Sequence, residues 1–146
     1  LFGAVGSDIN AGIILEGLQN QGVNTEHVLK QTGNSGTTYV IVCNSTSTRT
    51  CIHNPITNDI TGADIDDVFC FIVGEQIRFV HFDSRHTEAA VALAQRITDH
   101  TYTTTHQKPL ISIDMEKIRP HVLELLPHCD VIFTNQTFPA QLSPDE

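Results

Sequence analysis

The chain has 146 residues, of which 40% are hydrophobic and 17% are charged, and this composition is typical of a folded domain with its own core. A formal net charge of -9, without any cluster of Lys and Arg, argues against binding to the phosphate backbone of nucleic acids. No apolar run approaches the roughly 20 residues of a membrane-spanning helix. We therefore expect neither nucleic acid nor a membrane as a partner.

The four cysteines give no metal or redox motif. They stand at positions 43, 51, 70 and 129 and form no Cys-x-x-Cys pair, which argues against zinc-ribbon and thioredoxin sites. Cys43 and Cys51 flank a predicted turn, so a pairing across a hairpin is one alternative. The favoured interpretation is buried free thiols in the reducing cytosol, which predicts a cytoplasmic protein.

The first predicted unit is a strand, a turn and a helix. Phe2–Val5 are typical of the end of a buried strand, and Ser7 or Asp8 would provide the side-chain oxygen that caps the following helix. Apolar residues then recur at helical spacing, and a glycine follows where the helix should end. These residues are Ala11, Ile14, Leu15, Leu18 and Gly22.

The glycines of the first turn are spaced Gly-x-x-Gly, at Gly3 and Gly6. A dinucleotide-binding fingerprint needs Gly-x-Gly-x-x-Gly, so we interpret the pair as a tight turn between strand and helix. The chain begins within this apolar strand, without Met, and ends in a polar stretch that favours no particular structure. We expect both ends to be internal to a longer protein.

The next segment predicts an antiparallel hairpin over residues 37–53. Two β-prone runs, Thr38–Cys43 and Arg49–His53, are joined by about five polar residues, and nothing helical lies between them. Alternation along the first run gives two faces that are both largely apolar. We expect this hairpin to protrude from the main sheet as a lid.

Residues 64–146 predict βαβ units. Apolar strands at 77–83, 110–115 and 130–134 alternate with helical patterns at 87–100 and around Val122, and this order is typical of a parallel sheet. The Thr-rich stretch 101–108 is the predicted flexible loop. The predicted architecture is a three-layer, doubly wound αβα sheet, interrupted by the lid hairpin. In such sheets, ligands bind beyond the carboxyl ends of the strands.

Charged residues follow the first of these strands. His81, Asp83 and Arg85 alternate, so we expect them to project together with Phe79. An acidic and a basic side chain at this place would bind a polyol hydroxyl and a phosphate. The alternative is a solvated strand end, with Ser84 or Thr87 capping the next helix.

The second and third strands also end in polar residues. Asp114, with Lys117 just beyond it, would order Mg²⁺-bound water or meet a phosphate. The alternative is capping of the following helix by Asp114 or Glu116. Asn135, after the third strand, would contact a phosphate or a metal-bound water, or would only be a turn residue. The eight histidines form no metal-binding spacing, and we expect no direct metal ligand.

Several segments together resemble the ribokinase-like (pfkB) family of carbohydrate kinases, and within it the ketohexokinase-like branch. The resemblance is collinear over essentially the whole chain. It rests on the glycine turn with its helix, the two lid strands and the three strand ends. These are residues 3–8, 22–25, 37–42, 47–50, 80–85, 112–119 and 130–135.

The resemblance implies an activity and site residues. Members transfer the γ-phosphoryl group of ATP, with Mg²⁺, to a hydroxymethyl group of a sugar or nucleoside, and the branch points to a ketohexose such as fructose. By resemblance, Asp83 falls where the family often has an acidic residue near the sugar, and Arg85 matches an arginine of the ketohexokinase-like branch, so we predict that both bind the substrate. Asn135 falls where many members begin an Asn-x-x-Glu motif, but the fourth position here is Phe138, which departs from that motif.

The resemblance also implies missing parts and a partner. The early sugar-binding segment would precede Leu1, and the Gly-Ala-Gly-Asp turn with the catalytic base would follow Glu146, so no catalytic residue is expected within this chain. The implied assembly is a homodimer in which two lids pack together. Alternatives are a nucleoside or other sugar kinase of the same fold and a non-catalytic homologue that binds a metabolite. Because part of the sheet's cover is missing, we expect the isolated chain to be marginally stable or to associate.

Overall fold

The computed structural model describes residues 1–103 and 106–142. The chain forms two compact units, Leu1–Asp59 and Ile60–Glu146. Both units contain helices and parallel strand pairs, and the antiparallel hairpin lies in the first unit. The single kinase domain predicted for residues 1–146 stays a prediction.

The first unit contains a parallel strand pair, one helix and a hairpin. Gly3–Val5 (β1) pairs in parallel with Val28–Lys30 (β2), and the connection between them contains the helix Ile9–Asn20 (α1). The hairpin strands are Thr37–Cys43 (β3) and Thr48–Asn54 (β4). The strand β2 was not predicted from the sequence, because its three residues are too few to show a period.

A partly buried hydrogen-bond network joins the start of α1 to the segment before β3. The carboxylate of Asp8 caps the helix by accepting from the backbone N of Ala11 at 3.1 Å, as the sequence predicts. It also accepts from the Oγ and the N of Ser35, at 2.6 and 3.1 Å. The Ser35 hydroxyl, a hydrogen-bond donor to this carboxylate, is the main cause of its lowered pKa. The network therefore fixes the chain just before the hairpin begins.

The hairpin is the one predicted, with its strands paired antiparallel from Thr37↔Asn54 to Cys43↔Thr48. Both faces are exposed: Tyr39 is 69% exposed and Ile41 58% on one face, while Val42 is 63% exposed on the other. A two-stranded sheet with no cover is at best marginally stable in water. These exposed side chains are therefore candidates for burial by a partner.

The cysteines differ from the prediction of buried thiols. All four are free, but Cys43, Cys51 and Cys70 are exposed and only Cys129 is partly buried. Cys43 lies opposite Thr48 and Cys51 opposite Val40, so the two do not face each other across the hairpin. Hydrogen bonds from Ser45 and Thr46 lower the pKa of the Cys43 thiol to about 7.

The second unit contains a three-stranded parallel sheet in the order β5-β6-β7, with helices between its strands. Its strands are Phe79–Phe82 (β5), Leu110–Met115 (β6) and Val131–Thr134 (β7). Its helices are Asp66–Gly74 (α2), Thr87–Asp99 (α3), Val122–Leu125 (α4) and Pro139–Leu142 (α5), with 3-10 turns at Gly62–Asp64 and Leu126–His128.

One face of this sheet forms the core of the unit. Ile111, Ile113 and Met115 are fully buried on it, together with Leu93 and Ile97 of α3. In a helix of 3.6 residues per turn, Leu93 and Ile97 lie on the same side, which explains why α3 presents one apolar face to the core. Packing against this helix therefore holds the sheet and orients its strand ends.

Two helices differ from the prediction. The helix α2 was not predicted, and α4 is a single turn, shorter than the helix predicted around Val122. Pro120 and the left-handed backbone of His121, with φ 60, delay the start of α4.

Within residues 1–103 and 106–142, no helix combines the length and the apolar character needed to cross a membrane.

Candidate functional site

The carboxyl ends of β5, β6 and β7 lie at one edge of the sheet, and this edge is the candidate site. Phe82 of β5 pairs with Ile113 of β6. Asp83 and Asp114 are therefore the next residues along two neighbouring strands, which lie about 4.8 Å apart in such sheets. Met115 of β6 pairs with Thr134, which places Asn135 at the same edge. The sheet thus brings together the three predicted groups of polar residues.

Asp83 and Arg85 contact each other directly. The backbone N of Arg85 donates to Oδ1 of Asp83 at 3.0 Å, and the Nε of Arg85 lies 3.6 Å from Oδ2. Their side chains are 67% and 55% exposed, so a ligand can reach both. The sequence predicts that alternation along a strand brings Asp83 and Arg85 to the same side. Because β5 ends at Phe82, the two residues instead lie in a turn, and their contact is made there.

The turn that holds this pair is strained. Ser84 and His86, on either side of Arg85, have left-handed backbones with φ 57 and 46, which residues other than glycine seldom adopt. The N-cap of α3 is His86, without a side-chain capping bond, so the predicted caps Ser84 and Thr87 are wrong. Thr87 instead donates its hydroxyl to the carbonyl of Pro120 at 2.6 Å. Strained residues of this kind cluster at binding sites.

The end of β6 presents two charged side chains that no other described residue neutralises. Asp114 and Lys117 are exposed, and neither side chain has a hydrogen bond or ion pair with any part of the chain that the structure describes. An unpaired carboxylate and an unpaired ammonium at this edge fit the predicted contacts with Mg²⁺-bound water and with phosphate. Among the described residues, no three His, Cys, Asp or Glu side chains come together in a way that could hold a metal ion directly.

Asn135 is engaged in structural hydrogen bonds. Its Oδ1 accepts from the N and Oγ1 of Thr137 and from the N of Phe138, at 3.1, 3.0 and 2.8 Å. Its Nδ2 donates to the carbonyl of Glu116 at 3.3 Å, which ties the end of β7 to the end of β6. The side chain therefore stabilises the edge itself. Its predicted contact with a phosphate or metal-bound water stays a prediction.

A contact between two polar side chains on the exposed sheet face was not predicted. His81 of β5 pairs with Ser112 of β6, and Nδ1 of His81 lies 2.9 Å from the Ser112 hydroxyl. The ring of Phe133 packs edge-on against His81, with 6.3 Å between centroids. Alternation places each residue on this face, but only the strand register brings His81 and Ser112 together. The sequence contains no signal for that register.

Comparisons with known proteins agree with this architecture. The family described as pfkB family carbohydrate kinase matches residues 1–138. Ketohexokinase of Mus musculus is 25% identical over 129 residues, which cover 86% of this chain and 42% of that protein.

Two solved structures have the same fold. The ribokinase from Giardia lamblia aligns with a TM-score of 0.75 and 13% identity over 99% of this chain and 44% of its own. The ribokinase from Thermotoga maritima aligns with a TM-score of 0.70 and 15% identity over 97% and 43%. The chain spans less than half the length of these relatives. The predicted ribokinase-like α/β fold, with its parallel sheet and antiparallel hairpin, is confirmed. The chain belongs to the pfkB family of carbohydrate kinases.

Proposed function

We propose that the protein containing this chain is an ATP-dependent kinase that phosphorylates a hydroxymethyl group of a ketohexose such as fructose. The observation that carries the proposal is the Asp83–Arg85 pair, exposed at the carboxyl edge of the parallel sheet. The family match supports a carbohydrate substrate. The similarity to a ketohexokinase favours a ketohexose among the carbohydrates.

Asp83 is the proposed sugar ligand. A carboxylate accepts hydrogen bonds from two adjacent hydroxyl groups, and hydrogen bonds to charged groups contribute about 1.5–3 kcal/mol each. The hydrogen bond from the backbone N of Arg85 and the ion pair with its guanidinium favour one orientation of the carboxylate before the sugar arrives. Arg85 keeps further N–H donors that would meet the sugar or the transferred phosphate as a planar fork.

The end of β6 is the proposed nucleotide side of the site. Mg²⁺-ATP, when bound, supplies the phosphoryl group. Asp114 would accept hydrogen bonds from metal-bound water, and Lys117 would donate to phosphate oxygens. The chain contains no Gly-Ala-Gly-Asp turn, and we assign the catalytic base to none of its residues. Phosphoryl transfer depends on positioning and charge, so this chain alone is expected to be inactive.

A substrate panel on the full-length protein tests the proposal. Fructose, ribose and inosine are each supplied with ATP and Mg²⁺, and the phosphate ester is measured by mass spectrometry. The expected result is ATP-dependent phosphorylation with the highest kcat/KM for the ketohexose. A preference for inosine or ribose would show that the substrate is a nucleoside or another sugar and not a ketohexose. The absence of any phosphate ester, together with tight binding of a sugar, would indicate a non-catalytic homologue.

We also propose that the protein is a homodimer in which the two hairpins pack together. The apolar side chains on both faces support this arrangement, because a lid that covers a ligand with one face leaves the other face without a role.

We propose a cytoplasmic location for the protein as well. It is supported by the four free cysteines, which are typical of a reducing compartment.

Replacement of Ile41 by Lys should break this dimer. A charge placed in an apolar interface loses its hydration without gaining a partner, so the dissociation constant of the dimer should rise by about a hundredfold or more. Sedimentation velocity measures the change. Asn44→Lys, which adds the same charge at the turn of the hairpin, is the matched control and should leave the dimer intact. An unchanged sedimentation profile for Ile41→Lys would refute the packing of the lids.

A further inference from the structure

A cavity of about 540 Å³ lies in the second unit, at the edge of the sheet opposite to the candidate sugar site. Its walls include residues at the amino ends of β5 and β6, the turn after α2, and residues 100–103 and 106–108 after α3. The volume is within the range of about 300–1,000 Å³ of small-molecule sites. The five steps along β6 separate the two edges by roughly 16 Å. The cavity is therefore distinct from the candidate sugar site.

The charge of the cavity is opposite to that of the chain. Although the chain has a net charge of -9, no Asp or Glu of residues 1–103 and 106–142 lines the cavity, whereas Arg78 and Lys108 do. Lys108 is paired with Asp130, with 3.3 Å between its Nζ and each carboxylate oxygen. The guanidinium of Arg78 has no hydrogen bond or ion pair with any described residue and only approaches the ring of Phe79, with 5.9 Å from Cζ to the ring centroid. Its guanidinium is therefore free to bind an anion.

The remaining walls favour an anion that has an apolar part. Phe79, which is 67% exposed, and Leu110, which is 38% exposed, are neighbours across β5 and β6 and offer an apolar surface beside Arg78.

The turn after α2 adds the polar side chain of Gln76 to the cavity wall, and the backbone of this residue is left-handed. The helix ends at Gly74, and the backbone N atoms of Gln76 and Ile77 bond back to Val73 and Ile72, at 3.3 and 2.9 Å. Gln76 has φ 52, at a place where glycine is the usual residue. A side chain kept at a strained position on the cavity wall indicates a role for that side chain.

We infer that this cavity binds a small organic anion, whose carboxylate or phosphate meets Arg78 and Gln76 while its apolar part lies against Phe79 and Leu110. The site does not depend on the proposed kinase activity. Carboxylates and phosphate monoesters share the chemistry that a guanidinium recognises.

Calorimetric titration of the full-length protein tests the inference, with phenyl phosphate, benzoate and inorganic phosphate as probes. At least one of the two aromatic anions should bind more tightly than inorganic phosphate, and the stronger of the two identifies the preferred anionic group. Arg78→Gln should weaken that binding by about ten- to a hundredfold. Arg49→Gln, which removes the same charge from the hairpin, should leave it unchanged. Because Arg78 is exposed, its replacement should not alter the melting temperature.

Gln76→Gly separates a role in binding from a role in the turn. Glycine relieves the left-handed strain, so the melting temperature should rise, while the affinity for the aromatic anion should fall. A rise in stability with unchanged affinity would overturn the role of Gln76. The site itself is overturned if neither aromatic anion binds at millimolar concentration, if Arg78→Gln binds as tightly as the parent, or if fructose or ATP displaces the anion competitively.

Discussion

Replacement of Asp83 by Asn should raise the KM for the sugar by about ten- to a hundredfold, the effect expected from losing a charged hydrogen bond of ~1.5–3 kcal/mol. Asparagine keeps an oxygen that accepts from the backbone N of Arg85, so the turn should survive. What is lost is the negative charge that pairs with Arg85 and that we propose for binding the sugar. The KM for ATP should change far less, and the melting temperature should hardly change.

Steady-state kinetics with varied sugar and varied ATP separate these effects in the full-length protein. Asp99→Asn, at the other end of α3, removes an equal charge and should change neither KM. A sugar KM equal to that of the parent would leave Asp83 as a turn residue only. An equal rise in both KM values would indicate a general distortion of the edge, and it would contradict the specific role of Asp83.

Replacement of Gly6 by Ala should lower the free energy of unfolding by about 1–3 kcal/mol or more. The backbone N of Gly6 donates to the buried Oγ of Ser35 at 3.0 Å, and the N of Ser7 donates to the carbonyl of Gly33 at 2.8 Å. A Cβ on Gly6 would overlap the backbone of Gly33, Asn34 and Ser35. Backbone atoms held by these bonds cannot move aside as the end of a side chain can.

Gly12→Ala is the matched control, since a Cβ there meets nothing within 4 Å. It lies within α1, where alanine is favoured over glycine, so stability should rise by about 0.5–1 kcal/mol. Denaturant unfolding of both variants in the full-length protein measures the difference. Equal stability of Gly6→Ala and the parent would show that this turn tolerates a side chain, contrary to its packing.

The sequence predicts those parts of the fold that rest on local patterns. The strand β6 has its predicted bounds, because a run of apolar residues flanked by polar ones identifies a buried strand. Asp8 caps α1 because an N-cap depends only on residues within one turn. The three-residue strand β2 is different: its pairing with β1 is a tertiary contact, which no local pattern contains.

The same distinction between local patterns and tertiary contacts applies to the candidate site. The rule that the carboxyl ends of parallel strands meet at one edge brings Asp83, Asp114 and Asn135 together, as the structure has them. The bonds that engage Asn135 depend on how α5 follows β7, and the contact of His81 with Ser112 depends on strand register. The exposure of three cysteines could not be predicted either, because the residue type alone favours burial.

A crystal structure of the full-length protein with a bound ketohexose tests the central proposal most directly. The sugar should lie at the carboxyl edge of β5 and β6, with at least one of its hydroxyl groups about 2.6–3.0 Å from the carboxylate of Asp83. Arg85 should keep its contact with that carboxylate. A sugar bound elsewhere, with Asp83 contacting only Arg85 and solvent, would contradict the proposed site.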